Sequence, residues 1–113
     1  MKSIKYNKLI RDKIPEIIEK SGKKCIVEVM DDETYMDKLS AKLKEELAEV
    51  ETELKNNNDE AAIKELADLQ EVILAIVDAI GVDRESFERI RKSKVASNGA
   101  FEKKLLLKEV IEE

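Results

Sequence analysis

Two long amphipathic stretches joined by a short polar turn occupy the middle of this sequence. In the first, apolar residues recur at steps of three or four, at Tyr35, Leu39, Leu43, Leu47, Val50 and Leu54. The second repeats the pattern at Ile63, Leu66, Leu69, Val72, Ile73, Ile76, Val77 and Ile80. This spacing is that of one helix face, and the "NNND" turn is short. The sequence therefore predicts an antiparallel helical hairpin of about residues 34–55 and 59–80.

Capping residues flank the hairpin. Asp31 or Asp32 is expected to cap its first helix and Asp59 its second, because a short acidic side chain accepts hydrogen bonds from the first free N–H groups. Gly81 is expected to end the second helix, since glycine accepts the left-handed conformation found there. Asp83 then opens a predicted third helix of about residues 83–96.

The two ends of the chain carry weaker patterns. Pro15 and Gly22 bracket a short predicted N-terminal helix. The β-branched segment "KCIVEVM", residues 24–30, is either a short strand or an extended connector. The segment "ASNGAF" breaks the helical period, and "KKLLLKEVIEE" is expected to close the chain as a strand or a helix.

Composition favours a small helical protein. The chain has 113 residues, 42% of them hydrophobic and 42% charged, with only 3 Gly and 1 Pro. Length predicts one domain over residues 1–113, and scarce turn residues predict an all-α helical bundle. Because a chain this short buries a modest share of its surface, we expect a homodimer or a homotetramer.

Charge and residue usage exclude several classes of function. The net charge of −5 disfavours nucleic acid as a partner. No apolar run is long enough for a membrane and no signal pattern is present, so a cytoplasmic protein is expected. The lone Cys25 cannot form an intrachain disulfide. With no His in the chain, serine triads and most zinc sites are excluded.

Four carboxylates stand out within the hairpin. Glu46 and Glu49 are three residues apart, as are Glu65 and Asp68, so each pair shares a helix face. The pairs are placed symmetrically about Asn57, in the middle of the predicted turn. In an antiparallel hairpin they would lie level with each other.

Such a cluster fits a metal ion. Four facing carboxylates repel each other unless a proton or a cation lies between them. Hard oxygen ligands without His or Cys favour Mg²⁺, with Mn²⁺ as a substitute. The alternative is a solvated acidic face, because 26 of the residues are acidic and such pairs also arise by chance. The pattern alone leaves both open.

Three segments resemble a known family. "EELAE" and the downstream "ELAD" resemble the EExxE and ExxD motifs of MazG-like nucleoside triphosphate pyrophosphohydrolases, in the all-α NTP pyrophosphatase superfamily. The opening "YNKLIRDKIPEII" resembles a phosphoribosyl-ATP pyrophosphohydrolase-like branch of that superfamily. "SNGAFEKKLLLK" resembles the family's basic-Gly-Gly-Phe segment, but Asn98 stands where Arg is common and Ala100 where Gly is.

The resemblance implies an enzyme. Members hydrolyse the α-β phosphoanhydride of a nucleoside triphosphate to a monophosphate and pyrophosphate, with Mg²⁺ held by the acidic motifs. Nucleotide-pool house-cleaning would be one use of this activity. The resemblance makes Glu45 and Glu46 the catalytic acids, with Glu45 orienting or deprotonating the attacking water. The metal ligands it implies are Glu46, Glu49, Glu65 and Asp68.

Basic residues are the candidates to bind the substrate's phosphates, since phosphoryl transfer needs neutralised charge rather than a protein nucleophile. Asp12 could accept from a sugar hydroxyl or pair with a lysine, and each lysine could equally be solvated surface. The candidate cations are Lys8, Arg11, Lys13, Lys92 and Lys94.

Two other functions stay open at this point. One is hydrolysis of phosphoribosyl-ATP, which differs in the substrate and not in the bond broken. The other is a non-enzymatic helical interaction module whose acidic hairpin is only surface.

Overall fold

The computed structural model describes residues 2–113, and every regular element in that part of the chain is helical. The helices are α1 (Ile14–Lys20), α2 (Asp32–Lys55), α3 (Asp59–Ile80) and α4 (Arg84–Asn98). The predicted all-α fold, with its hairpin, short first helix and third long helix, is confirmed. α4 ends at Asn98 rather than near residue 96.

The helices begin where side chains satisfy their free N–H groups. The Asp31 carboxylate accepts from the Thr34 N–H at 2.8 Å, and the Asp83 carboxylate accepts from the Ser86 N–H at 2.8 Å. α3 is capped by Asn58, which accepts from the Ala61 N–H at 3.2 Å. The prediction of Asp59 as its cap is wrong. Asp59 lies in the first turn, where its charge still faces the positive end of the helix dipole.

Left-handed backbone conformations form the turns beside α3. Asn57 has φ 54°, which asparagine tolerates better than most residues, and it lies between α2 and α3. Gly81 has φ 96° and ends α3 as predicted. The short connection forces α2 and α3 to run antiparallel and pack against each other.

Besides residues 2–13, which precede α1, two further segments carry no helix or strand. Residues 23–30 form a connector between α1 and α2, which decides between the two predicted alternatives. Residues 104–113 are likewise irregular, so the prediction of a strand or helix there is wrong. Leu105, Leu106 and Leu107 are consecutive and cannot share one helix face, and a strand needs a neighbouring strand to satisfy its backbone.

The apolar core lies between α2 and α3 and is small. Its buried apolar residues are Leu39, Val50, Ala62, Val72 and Val77. Neither α1 nor α4 buries a residue. The radius of gyration is 19.1 Å, whereas a compact domain of this length has about 13 Å. No helix in the described part of the chain is long and apolar enough to cross a membrane.

Candidate metal centre

The hairpin brings three of the four predicted ligand carboxylates together. Glu46 and Glu49 come from α2 and Glu65 from α3, and each offers an oxygen within 4.8 Å of the other two. The two helices meet in this register because the turn is centred on Asn57 and the helical period on each side is unbroken. Three hard oxygen ligands therefore converge on one point, as a divalent cation requires.

Burial makes the cluster costly when no cation is bound. Glu46 is only 6% exposed, although it carries a carboxylate. The Oε2 atoms of Glu46 and Glu65 are buried and have no hydrogen-bond partner among the described residues. A buried acceptor without a partner loses its hydration and gains nothing in return. These two oxygens fit the role of ligands to a hard metal ion, which would supply the missing interaction.

The carboxylates hold protons more tightly than usual. The neighbouring Glu49 carboxylate, with which a protonated Glu65 can share its proton, raises the pKa of Glu65 to about 7, together with burial and the charges of Glu49, Glu46 and Asp68. Burial and the neighbouring Glu49 raise the pKa of Glu46, against the opposing charge of Lys42. The metal-free cluster thus retains a proton near neutral pH, which a cation would displace.

Asp68, the fourth predicted ligand, is engaged elsewhere. Its Oδ1 accepts a hydrogen bond from the Arg11 guanidinium at 2.6 Å. Asp68 still lies close enough to raise the pKa values of Glu46 and Glu65 through its charge. It therefore borders the three-carboxylate cluster without joining it in this structure.

The N-terminal segment, residues 7–13, crosses the hairpin beside this cluster. Arg11 attaches it to α3 through Asp68, while α2 holds it through two lysine contacts. Lys38 donates to the Asn7 carbonyl at 3.1 Å, and Lys8 lies 3.8 Å from Glu45. Beneath the segment is a cavity of about 420 Å³. The polar residues lining it are Arg11, Asp12, Lys13, Lys42, Glu46, Asp68 and Glu71.

Lys42, which the sequence patterns had not singled out, lies close to both Glu45 and Glu46. Lys42 Nζ lies 3.5 Å from Glu45 and 3.7 Å from Glu46. The signal was present, because Lys42 precedes these glutamates by three and four residues on one helix. Glu45 itself points away from the carboxylate cluster, toward Lys8 and Lys42, at the edge where the N-terminal segment passes.

Comparison with known proteins identifies the group to which this helical hairpin belongs. A family model described as "Phosphoribosyl-ATP pyrophosphohydrolase" matches residues 4–94. The chain belongs to this family. It is also 45% identical over 42 residues to an uncharacterized protein of Mycolicibacterium smegmatis, a match that covers 37% of this chain and 43% of that protein. No solved structure matches the chain.

Family membership confirms the resemblance to the MazG-like superfamily. The matched residues 4–94 include every candidate site residue. The phosphoribosyl-ATP pyrophosphohydrolase family is typically metal-dependent, in keeping with the three converging carboxylates. The match includes Lys92 and Lys94, but neither lines the cavity beside the carboxylates. Lys94 instead borders a hollow at the end of α4, with Arg91 and Phe101. Their predicted role at the phosphates stays a prediction.

Proposed function

We propose that the protein is a Mg²⁺-dependent nucleoside triphosphate pyrophosphohydrolase that releases a nucleoside monophosphate and pyrophosphate, for use in nucleotide-pool house-cleaning. The convergence of Glu46, Glu49 and Glu65, with two buried oxygens that lack partners, carries this proposal. Membership of a pyrophosphohydrolase family supports the class of bond that is broken. Mn²⁺ would substitute for Mg²⁺, because it accepts the same oxygen ligands.

The three clustered carboxylates would hold the metal ion, and Asp68 would join them when Arg11 releases it. When bound, the ion supplies neutralisation of phosphate charge and polarisation of the phosphoryl oxygens. The chain's own task would be to hold the carboxylates close together, and the packing of α2 against α3 supports this. Lys42 offsets part of their mutual repulsion.

Glu45 would orient or deprotonate the attacking water. Its carboxylate lies 3.8 Å from Lys8 and 3.5 Å from Lys42, at the edge where the N-terminal segment passes, and a carboxylate held there can accept a hydrogen bond from a water. It is next in sequence to Glu46 but on a different side of α2, so it can reach a water without ligating the ion itself.

Residues of the N-terminal segment would bind the substrate. Arg11 would exchange Asp68 for phosphate oxygens, because its planar guanidinium forms paired hydrogen bonds with either group. Lys8 and Lys13 add positive charge along the same segment, and Asp12 would accept from a sugar hydroxyl. The cavity is lined by three cations, four carboxylates and an apolar wall. The cations would face the phosphates, the carboxylates would face a metal ion, and the apolar wall would face the base of a nucleotide.

A second candidate is hydrolysis of phosphoribosyl-ATP. The description of the matching family favours it directly. It uses the same carboxylates and breaks the same kind of bond, so the two candidates differ only in what occupies the nucleotide end of the cavity.

A substrate screen tests the proposal. Purified protein is incubated with each nucleoside triphosphate and with phosphoribosyl-ATP, with Mg²⁺ or with a chelator, and pyrophosphate is measured. We expect Mg²⁺-dependent release from at least one triphosphate and formation of equal amounts of monophosphate. Release from phosphoribosyl-ATP alone would select the second candidate. Absence of release from every substrate, or release unaffected by the chelator, would leave the carboxylate cluster without a catalytic role.

Arg11→Ala should raise KM for the triphosphate about tenfold or more, the range expected for a lost charge-assisted hydrogen bond to phosphate. The matched control is Arg84→Ala, which removes an arginine paired with Asp78 at 3.0 Å outside the cavity. Mn²⁺ affinity, measured by calorimetry, should hold or increase in Arg11→Ala because Asp68 loses its competing partner. Equal KM changes in both variants would contradict the role given to Arg11.

A further inference from the structure

Two largely exposed apolar segments of the chain are not paired with each other, and within them only Cys25 and Met30 are half-buried. Residues 23–30 connect α1 to α2, and residues 106–113 lie beyond α4. Their exposed fractions reach 103% at Ile26, 98% at Val29, 82% at Leu106 and 77% at Ile111. No backbone hydrogen bond in the described part of the chain joins the two segments. Apart from the Lys23 N–H, which donates to the Ile18 carbonyl at 3.4 Å, the backbone groups of the two segments make no backbone hydrogen bond to a described residue, and such a segment with β-branched side chains readily pairs with another strand.

The two segments are complementary in charge in one antiparallel register. In that register Lys24 lies opposite Glu112 and Glu28 lies opposite Lys108, with Lys23 opposite Glu113 at the end. Opposite charges placed directly across two strands stabilise the pairing, whereas like charges oppose it. Shifting either segment by one residue removes all three of these pairs and forms a single attractive pair in their place, Lys23 with Glu112 or Lys24 with Glu113. The charges therefore select one register.

Apolar residues match in the same register. Only Val27 is placed opposite a charged residue, Glu109. Because alternate residues of a strand point to opposite faces, Cys25 and Val29 share a face with Ile111 and Leu107. The remaining apolar pairs lie on the other face between the charged pairs. The four cross-strand apolar pairs are Cys25 with Ile111, Ile26 with Val110, Val29 with Leu107, and Met30 with Leu106.

The shape of the chain favours a second copy as the partner. The molecule measures 72 × 36 × 23 Å, and its radius of gyration of 19.1 Å far exceeds that of a compact domain of this length. The segments lie unpaired within one copy, although each carries the complement of the other. An extended arm with a matching surface on its own chain is the arrangement that exchanges between two copies, each giving and receiving one arm.

We propose that residues 106–113 of one copy pair as an antiparallel β-strand with residues 23–30 of a second copy, reciprocally, in a homodimer. This interaction is independent of the proposed catalysis. Residues 106–113 also lie outside the residues that match the family. The pairing buries the exposed side chains of both segments, which neither segment achieves in one copy.

The single native cysteine allows a direct test of the register. Ile111→Cys places a thiol opposite Cys25, where the Cβ atoms of a directly cross-strand pair lie close enough for a disulfide. Mild oxidation followed by non-reducing electrophoresis should convert most chains to a covalent dimer. Val110→Cys is the matched control. In the proposed register residue 110 lies opposite Ile26, and its side chain points to the face of the strand pair away from Cys25. We expect it to cross-link at least several times less.

The other possible outcomes of this cross-linking experiment would contradict the proposal. Loss of free thiols with the protein still migrating as a monomer would mean that the segment pairs within its own chain. Equal cross-linking of Ile111→Cys and Val110→Cys would exclude the register, and no cross-linking of either would exclude the contact. Circular dichroism checks that both variants keep their helices, since both changes lie outside them.

Charge reversal provides an independent measurement. Glu28→Lys places two lysines opposite each other and should weaken the dimer about two- to fivefold, as measured by sedimentation. Adding Lys108→Glu to the same chain should restore it, because the pair is then attractive again. Failure of the second change to restore the association would refute the pairing of these two residues.

Discussion

Replacing Glu46 and Glu49 together by glutamine should lower Mg²⁺-dependent pyrophosphate release by more than about 100-fold. Loss of a group that only hydrogen-bonds to a metal ligand already costs about 10- to 100-fold in metal affinity or activity, and Glu46 and Glu49 are the proposed ligands themselves. Glutamine keeps the size of each side chain and removes only its charge. The loss would therefore reflect the metal ion rather than the packing of α2 against α3.

The same variant should be at least as stable as the parent when no metal is present. Glu46 is buried, and its pKa is raised by burial and by Glu49, so removing the charge relieves an unfavourable arrangement. Thermal unfolding followed by circular dichroism in a chelator measures this. Loss of activity combined with a higher Tm distinguishes a site maintained for function from residues that hold the fold together.

Glu51→Gln is the control, because Glu51 lies on α2 but is exposed and outside the carboxylate cluster. It should retain both activity and metal affinity. If Glu51→Gln were as inactive as the double variant, the loss would follow from the net charge of the helix. If the double variant stayed active, the solvated-face alternative would hold.

Saturation with Mn²⁺ or Mg²⁺ should stabilise the protein strongly at pH 8 and weakly at pH 5. A ligand at about 100 times its Kd adds about 2.7 kcal/mol to the free energy of unfolding, which corresponds to a rise in Tm of about 10 °C or more in a chain of this size. Protons compete with the metal, because the pKa of Glu65 is about 7 and that of Glu46 is also raised. Differential scanning calorimetry at fixed free metal measures the effect.

The metal-free protein should show the opposite trend with pH. The pKa of Glu65 rises from 4.5 to about 7 on folding, so the folded state binds more protons than the unfolded state between these values. The contribution of this group to stability is therefore fully present below about pH 4.5 and is lost as the pH rises through about 7. Glu65→Gln should flatten this dependence, whereas the exposed Glu51→Gln should leave it unchanged.

A metal-free stability that increased between pH 5 and pH 7.5, with no difference between the parent and Glu65→Gln, would contradict the coupling of Glu65 to its neighbours. Metal stabilisation that was the same at both pH values would show that the ion binds elsewhere.

Local signals in the sequence were sufficient for most of the fold. The recurrence of apolar residues from Tyr35 to Ile80 predicted the hairpin, because a helix face is set by residues three and four apart. Gly81 and Asp83 predicted the break between α3 and α4 for similarly local reasons. The choice between Asn58 and Asp59 as the cap of α3 was not decided by residue type, since both types are good caps and only the path of the turn selects one.

The sequence likewise predicted one part of the candidate site and left another part undecided. The spacing of four acids about Asn57 predicted that Glu46, Glu49, Glu65 and Asp68 would face each other. The structure brings one oxygen each of Glu46, Glu49 and Glu65 within 4.8 Å of one another. The pairing of Asp68 with Arg11, which keeps Asp68 out of the cluster, was not predictable from spacing. Arg11 is 57 residues away in sequence, and no local pattern indicates that the N-terminal segment crosses α3 at that point.

The sequence by itself determined the helices, their antiparallel order and the group of acids that face each other, because these depend on contacts between residues close in sequence or mirrored about one turn. Only the tertiary structure decided which carboxylates converge and that Asp68 instead forms an ion pair with Arg11. It also showed that residues 23–30 and 106–113 are largely exposed and not paired with each other. These depend on long-range packing, where burial and competing charges act together and sequence spacing gives no direct measure of distance.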